Sequence, residues 1–111
     1  MIREFLRCDY VVPVGSGTAG LFSAPKAIDI HNKKVLIPAS NCPSAAIVAF
    51  AARGKPVAVD LSYSDHNISP GSVRNAMGAP VRAIIAVDAF WLPGRYSETE
   101  KHSFPVQVYH N

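Results

Sequence analysis

The sequence predicts an α/β fold with three layers, in which a mainly parallel sheet carries helices on both faces. Short apolar runs of strand length recur along the 111 residues, and helix-like segments separate them. Two of these runs, residues 34–38 and 81–90, are apolar almost throughout, as is typical of parallel strands buried on both faces. The alternation of strands and helices favours a parallel sheet with right-handed crossovers.

The first half of the chain predicts strand, helix and strand in that order. Residues 10–14, "YVVPV", are β-branched and end at glycines, which predicts a strand with Pro13 at its edge or end. Residues 18–30 follow a helical pattern that Pro25 is expected to kink or shorten. The run "KVLIP", residues 34–38, predicts the second strand.

The next segment predicts a helix after the second strand. Asn41 or Cys42 is expected to cap it, Pro43 suits its first turn, and Gly54 is expected to end it. A third strand is predicted over residues 55–61.

The last elements follow a polar loop. Pro70 begins a short predicted helix that ends near Gly78, and residues 81–90 predict the fourth strand. Beyond Phe90 a polar stretch broken by proline and glycine precedes one more possible strand, residues 104–110. Since 111 residues suffice for one small domain, a single domain over residues 1–111 is expected, with residues 91–111 as a divergent tail.

Composition narrows the classes of function. The net charge of +3 is spread without a basic run, so no nucleic-acid partner is expected. No apolar stretch is long enough for a signal peptide or a membrane span, which predicts a cytoplasmic protein without a membrane partner. Cys8, Cys42 and four dispersed histidines have no metal-ligand spacing, so no metal site is expected.

A glycine motif, Gly15-x-Gly17-x-x-Gly20, follows the first apolar run. It matches the dinucleotide fingerprint of a Rossmann domain, which also requires an acidic residue at the end of the second strand. That strand runs instead into Ala39 and Ser40, and Asp60 ends the third strand, 45 positions after Gly15. A small Rossmann-type dinucleotide-binding domain therefore stays an alternative, but the acidic residue that would confirm it is missing from the end of the second strand.

The same stretch suits a phosphate. Backbone N–H groups are unpaired where a chain turns into a helix, and the helix dipole is positive there. Gly17, Thr18 and Ala19 lie at this point, and Ser16 and Thr18 add hydroxyl donors. In the competing interpretation Gly17 only makes the turn and Thr18 only caps the helix.

Several segments in order resemble one family. "VGSGTAGL", then "VLIPASNCPSAAIVAFAARGKPVAVDLSYSDHNISP", then "VRAIIAVDAF" are similar to the DegT/DnrJ/StrS group of pyridoxal-phosphate-dependent sugar aminotransferases. That family shows an S-G-T-A-A-L phosphate turn, a V-I-V-P strand and an N-[IL]-[DS]-P motif. The resemblance covers roughly residues 4–90 and implies part of the large domain of the aspartate-aminotransferase fold. It is silent on the sugar and the amino donor.

The resemblance implies pyridoxal 5′-phosphate as cofactor. Gly17, Thr18 and Ala19, with Ser16 nearby, would bind its phosphate. Counting from Pro38, Cys42 occupies the position whose side chain lies against the pyridoxal ring in the family, where it is often aromatic. A buried cysteine near a helix start is the equal alternative for Cys42.

Departures from the family pattern concern catalysis. None of Lys26, Lys33, Lys34, Lys55 or Lys101 matches the motif of the Schiff-base lysine, which lies further downstream in the family. Tyr109 stands where the aspartate for the ring nitrogen is expected. Because transamination needs both groups, the resemblance implies a truncated fragment with no catalytic residue, inactive alone.

Two further roles stay open for such a chain. It is a relic of a sugar aminotransferase, or a non-catalytic module that binds a small phosphate ligand or a partner. Strands with missing neighbours leave sheet edges open, so a homo-oligomer or docking to a full-length relative is expected. Asp60 and Asp88 end strands at the edge where α/β folds bind ligands, which makes Asp88 an additional candidate.

Overall fold

Three parallel strands form the sheet, in the spatial order β2-β1-β3. The structure is a computed structural model that describes residues 2–7, 9–40, 42–78 and 80–88. The strands are β1, Lys34–Pro38; β2, Lys55–Val59; and β3, Val81–Ile84. The β1–β2 register is continuous from Lys34 opposite Lys55, whereas the β1–β3 register shifts by one residue after Lys34.

Four helices complete the described part of the chain. They are α1, Ile2–Leu6; α2, Gly17–Ala27; α3, Ser44–Ala51; and α4, Pro70–Ala76. Pro70 stands at the first helical position of α4 and Ser69 caps it, with Ser69 Oγ accepting from the N–H of Ser72 at 3.3 Å. Proline is tolerated at this position because an N–H there would have no partner within the helix.

The core lies on both faces of the sheet, as the period of two in a strand requires. Val35 and Ile37 of β1 pack with α2 and α3 on one face, whereas Leu36 packs with Val59, Ile84 and Val73 of α4 on the other. The central strand is buried from Val35 to Pro38. The predicted fold class, three layers with a parallel sheet, is confirmed for the described residues.

The predicted first strand is wrong. Residues 10–14 are not in a strand and not in the sheet. Tyr10 is 88% exposed and Val12 78% exposed, so the apolar pattern of this segment is not matched by burial. Pro13 also lacks the N–H that a ladder needs.

Other element boundaries differ by a few residues. Helix α2 begins at Gly17 and ends at Ala27, two residues after Pro25. Strand β2 ends at Val59, and Leu61 instead forms an isolated antiparallel bridge with Ile68. Strand β3 ends at Ile84, although the N–H of Ile85 still donates to Leu36 at 2.9 Å.

The end of α3 corrects the expected role of Gly54. The left-handed residue that ends the helix is Arg53, with a φ of 60°. The N–H of Arg53 donates to Phe50 O and that of Gly54 to Ala49 O, both at 2.8 Å, which is the Schellman arrangement. Gly54 is thus the second residue after the C-cap.

Predictions that fall on residues 89–111 lie outside the described residues. They include the last part of the fourth strand, the strand at residues 104–110 and the divergent tail. Asn41 and Cys8 also lie outside the described residues. A single domain over residues 1–111 remains a prediction.

Candidate phosphate-binding site

Residues 16–19, the N-cap and first residues of α2, form what we call the phosphate turn. Ser16 is the N-cap of α2 in an extended conformation, and its Oγ accepts a hydrogen bond from the N–H of Ala19 at 3.1 Å. The carbonyl of Ser16 accepts from the N–H of Gly20 at 3.1 Å. Ser16 therefore caps the helix, and the interpretation in which Thr18 is the cap is wrong.

Two amides of the phosphate turn remain for a ligand. The first N–H groups of a helix have no intrahelical partner, and those of Gly17 and Thr18 are not used by the Ser16 cap. Residues 16–19 are all exposed. With the positive end of the helix dipole at this point, the turn has the donors and the field that bind a phosphate. Ala19 differs, because its N–H is already donated to Ser16.

The topology places a second helix start beside this turn. Helices α2 and α3 pack against each other on one face of the sheet. Helix α2 leads into the start of β1 and α3 follows its end, so both helices run opposite to the strand. Their N-termini therefore lie at the carboxyl edge, defined as the edge where the strands end. The phosphate turn and Cys42, which precedes α3, share this edge.

Cys42 is exposed, which excludes the interpretation of a buried structural cysteine. It is not the helix cap either, because Pro43 holds that position without a side-chain cap bond. Hydrogen bonds from the side chain and the backbone of Ser44 lower the pKa of the Cys42 thiol, although slight desolvation opposes them. The sequence interpretation missed Ser44, whose place two residues after Cys42 is the only signal for it.

The glycines of the motif do not form a dinucleotide site. No described glycine has a positive φ, and a Cβ on Gly15 would meet nothing within 4 Å. A Cβ on Gly20 would lie 3.3 Å from Val14 Cγ2. Because residues 2–7 and 9–16 contain no strand, the described residues lack the strand–turn–helix context that the fingerprint needs, and the Rossmann alternative has no support.

The two acidic candidates at the carboxyl edge differ in exposure. Asp60 follows β2 and is exposed, and its carbonyl accepts from the N–H of Ser69 at 2.9 Å. Asp88 lies four residues beyond β3 and is half-buried. The described residues bring both to the edge that holds the phosphate turn, and a ligand contact for Asp88 remains a prediction.

A sequence model of the DegT/DnrJ/EryC1/StrS aminotransferase family matches residues 1–101. The chain belongs to this family. A curated relative, the protein MosB of Rhizobium meliloti, is 33% identical over 87 residues, which are 78% of this chain and 17% of MosB.

Solved structures show the fold. A DegT/DnrJ/EryC1/StrS aminotransferase from Brucella abortus is similar with a TM-score of 0.84 and 24% identity, over 91% of this chain and 29% of that protein. GDP-4-keto-6-deoxymannose-3-dehydratase, solved with a trapped PLP-glutamate geminal diamine, gives a TM-score of 0.86 and 18% identity, over 99% and 31% of the two chains. The chain thus spans less than a third of the length of these relatives.

The described residues bear on two of the predicted absences, a membrane span and a metal site. No helix among them is both long and apolar enough to cross a bilayer. Those residues also include no group of three or more His, Cys, Asp or Glu side chains suited to a metal ion. A cytoplasmic location remains a prediction.

Proposed function

We propose that this chain provides the cofactor-phosphate site of a pyridoxal-phosphate-dependent enzyme that transfers an amino group from an amino acid to a keto-sugar. The family assignment over residues 1–101 supports the class of reaction. The observation that carries the site is the exposed first turn of α2, where the amides of Gly17 and Thr18 have no intrahelical partner.

The phosphate turn fits the phosphate of this cofactor through its donors. The N–H groups of Gly17 and Thr18 donate to the phosphate oxygens, and the hydroxyl of Thr18 adds a further donor. Ser16 Oγ holds the N–H of Ala19, so these two residues fix the conformation of the turn. The bound cofactor supplies an electron sink for amino transfer, whereas this turn supplies binding and orientation.

Cys42 is the proposed contact for the pyridoxal ring. Its exposed thiol lies at the same carboxyl edge as the phosphate turn, and a sulfur atom packs on a ring face as a small polarisable group. The hydrogen bonds from Ser44 hold this sulfur at the start of α3. The contact area is smaller than that of an aromatic side chain.

The described lysines of residues 9–88 lie away from the phosphate turn. Lys33, Lys34 and Lys55 precede or begin strands, and Lys26 lies in the last turn of α2. All four therefore lie at the amino edge of the sheet, where the strands begin, and the phosphate turn lies at the opposite edge. We propose that residues 1–111 alone do not transaminate. Amino transfer by the purified 111-residue chain would contradict this.

Replacing Gly17 with proline tests the phosphate turn. Gly17 is the first helical residue of α2, a position at which proline is well tolerated. Ser16 already has the extended conformation that a following proline requires, with φ −161° and ψ 163°. The substitution thus removes one amide donor and preserves the helix, whereas Gly17→Ala keeps the donor.

The measurement is a titration of both variants with pyridoxal phosphate, followed by thermal shift and by absorbance. We expect the proline variant to bind roughly tenfold more weakly than the alanine variant, since a hydrogen bond to a charged group is lost. Equal affinities of the proline and alanine variants would show that the phosphate does not bind at this turn. An imine band in the visible range would contradict the absence of a reactive lysine at this site.

We also propose that the outer edge of β3 pairs with another chain, either a second copy or a full-length relative. In the described sheet β2 and β3 are the edge strands. The β2 edge carries Lys55 and Pro56, two residue types that discourage pairing, so the β3 edge is the better template. Concentration-dependent assembly in sedimentation experiments is expected. A monomer at all concentrations, alone and mixed with such a relative, would contradict the proposal.

A further inference from the structure

Charged side chains in residues 9–88 are segregated between the two edges of the sheet. Each lysine and arginine described there lies within two residues of the end of a helix or the start of a strand. The strands are parallel and the helices between them run back in the opposite direction, so these positions meet at the amino edge. They are Lys26, Lys33, Lys34, Arg53, Lys55, Arg74 and Arg82. Of the carboxylates described in this range, Asp29 lies at the same edge, Asp60, Asp65 and Asp88 follow the ends of β2 and β3, and Asp9 stands in the segment before α2.

A groove of about 450 Å³ opens at this amino edge, between the ends of α2 and α3. Its lining includes Lys26, Asp29, His31 and Arg53, and the nearly buried Ile30 and Ala52 form part of its floor. We call it the basic groove. Its volume falls in the range of about 300–1,000 Å³ that small-molecule sites occupy.

The two cations of the basic groove are available to a ligand. Neither Lys26 nor Arg53 forms an ion pair within the described part of the chain; the Lys26 ammonium lies 5.7 Å from the centre of the Phe22 ring. The carboxylate of Asp29 accepts a weak hydrogen bond from the N–H of His31 at 3.4 Å. The groove therefore holds two exposed cations that form no ion pair with a described carboxylate.

The helix dipoles offset only part of this positive charge. A helix C-terminus carries about half a negative elementary charge, so the ends of α2 and α3, together with Asp29, roughly balance Lys26 and Arg53. Lys33, Lys34 and Lys55, at the starts of β1 and β2, add three positive charges at this edge, whereas the end of α4 adds only about half a negative charge. Arg82 is engaged differently, because its Nε donates to the carbonyl of Ile28 at 3.1 Å. The summed charge of the described groups at the amino edge is therefore positive.

We propose that the basic groove binds a small phosphate-bearing polyanion, with Lys26 and Arg53 as its charged contacts. This site is separate from the phosphate turn, which lies at the opposite edge of the sheet. A polyanion suits it better than a single charge, because the dipoles and Asp29 cancel part of the attraction and the surrounding lysines act over several ångströms.

Calorimetric titration of the protein with inorganic pyrophosphate, at low and high sodium chloride, tests the proposal. We expect saturable binding of one pyrophosphate at the groove that weakens with salt. Lys26→Gln and Arg53→Gln should each weaken it roughly tenfold, as the loss of a charged hydrogen bond does. Arg74→Gln is the control, because it removes the same charge from α4 on the other face of the sheet.

Amide NMR shifts on the same samples locate the ligand. Shifts at residues 25–31 and 51–55 support the proposal, whereas shifts confined to residues 16–19 overturn it and assign the anion to the phosphate turn. An equal loss for Arg74→Gln overturns it too, because binding would then follow the general field of the edge. The absence of binding at millimolar pyrophosphate would also overturn the proposal. Lys26 and Arg53 are both exposed, so either variant decides the test if the other fails to fold.

Discussion

Gly54 lies so close to Ile30 that a Cβ on the glycine would come within 2.6 Å of Ile30 Cδ1 and 3.2 Å of Ala49 O. Ile30 is 1% exposed and belongs to the core between the sheet and helices α2 and α3. Because Gly54 has no Cβ, the end of α3 can pack directly over the connection from α2 to β1.

Gly54→Ala is expected to lower the free energy of unfolding by about 1–3 kcal/mol, the usual cost of an added methyl group in a tightly packed core. Urea denaturation measures it. Gly78→Ala is the matched control, because a Cβ there would meet nothing within 4 Å. Equal effects of the two substitutions would show that the close approach to Ile30 is unimportant.

A double-mutant cycle with Ile30→Val identifies the atoms responsible. Ile30→Val removes Cδ1, the atom nearest to the added Cβ, and by itself costs about 0.5–1.5 kcal/mol. We expect the double variant to lose less than the sum of the single losses, because the worst contact is gone. Strict additivity would contradict this explanation.

Arg53→Gly is expected to stabilise the fold. Arg53 ends α3 in a left-handed conformation with a φ of 60°, which costs a residue with a Cβ about 1–2 kcal/mol relative to glycine. Part of this gain is offset by the entropy of glycine in the unfolded chain, so a net gain of about 0.5–1 kcal/mol is expected. Arg53→Ala keeps the penalty and should bring no gain in the same urea titration. A loss of stability in the glycine variant would contradict the prediction.

Ser16, the N-cap of α2, and Ser23, within the helix, should differ in their effect on stability. Ser16→Ala removes the acceptor for the N–H of Ala19 and is expected to cost about 1 kcal/mol, as for other N-caps. Ser23 Oγ donates to the carbonyl of Ala19 at 2.8 Å from within the helix, and such bonds do not favour the helix. Ser23→Ala should therefore leave the thermal midpoint unchanged or raise it. Equal losses would mean that the hydroxyl at Ser16 does not act as a cap.

The sequence pattern was sufficient where burial and periodicity agree. Residues 35–38 are all apolar because β1 is the central strand and is buried on both faces, and the bounds of β1 were predicted without error. The same pattern misled at residues 10–14. Their β-branched side chains indicate a strand, yet strand formation needs a partner, and Val12 and Val14 remain exposed.

The sequence predicted the start of α2 more reliably than the residue that caps it. A strand-like run, glycines and hydroxyl residues indicated a helix start near Gly17, and α2 begins there. Which residue caps depends on one hydrogen bond to a single hydroxyl, and Ser16 and Thr18 both carry one. The close approach of Gly54 to Ile30 joins residues distant in sequence, so no local pattern contains it.

The Cys42 thiol is expected to react with iodoacetamide at lower pH than an ordinary cysteine. Hydrogen bonds from the Ser44 side chain and backbone stabilise the thiolate and lower its pKa, and the thiolate is the nucleophile. A larger thiolate fraction at neutral pH follows, and the inflection of the rate against pH should fall below the usual thiol value. Mass spectrometry of a Cys8→Ser variant isolates the reaction at Cys42.

Ser44→Ala separates the two contributions from Ser44. The substitution removes the side-chain hydrogen bond, the larger of the causes, and leaves the backbone N–H in place. The inflection in the rate of Cys42 alkylation should move to higher pH without reaching the value of an ordinary thiol. Ser40→Ala, at an exposed serine two residues before Cys42, should leave the profile unchanged. An unchanged profile in Ser44→Ala would mean that the hydroxyl does not stabilise the thiolate, and that the backbone at the start of α3 acts alone.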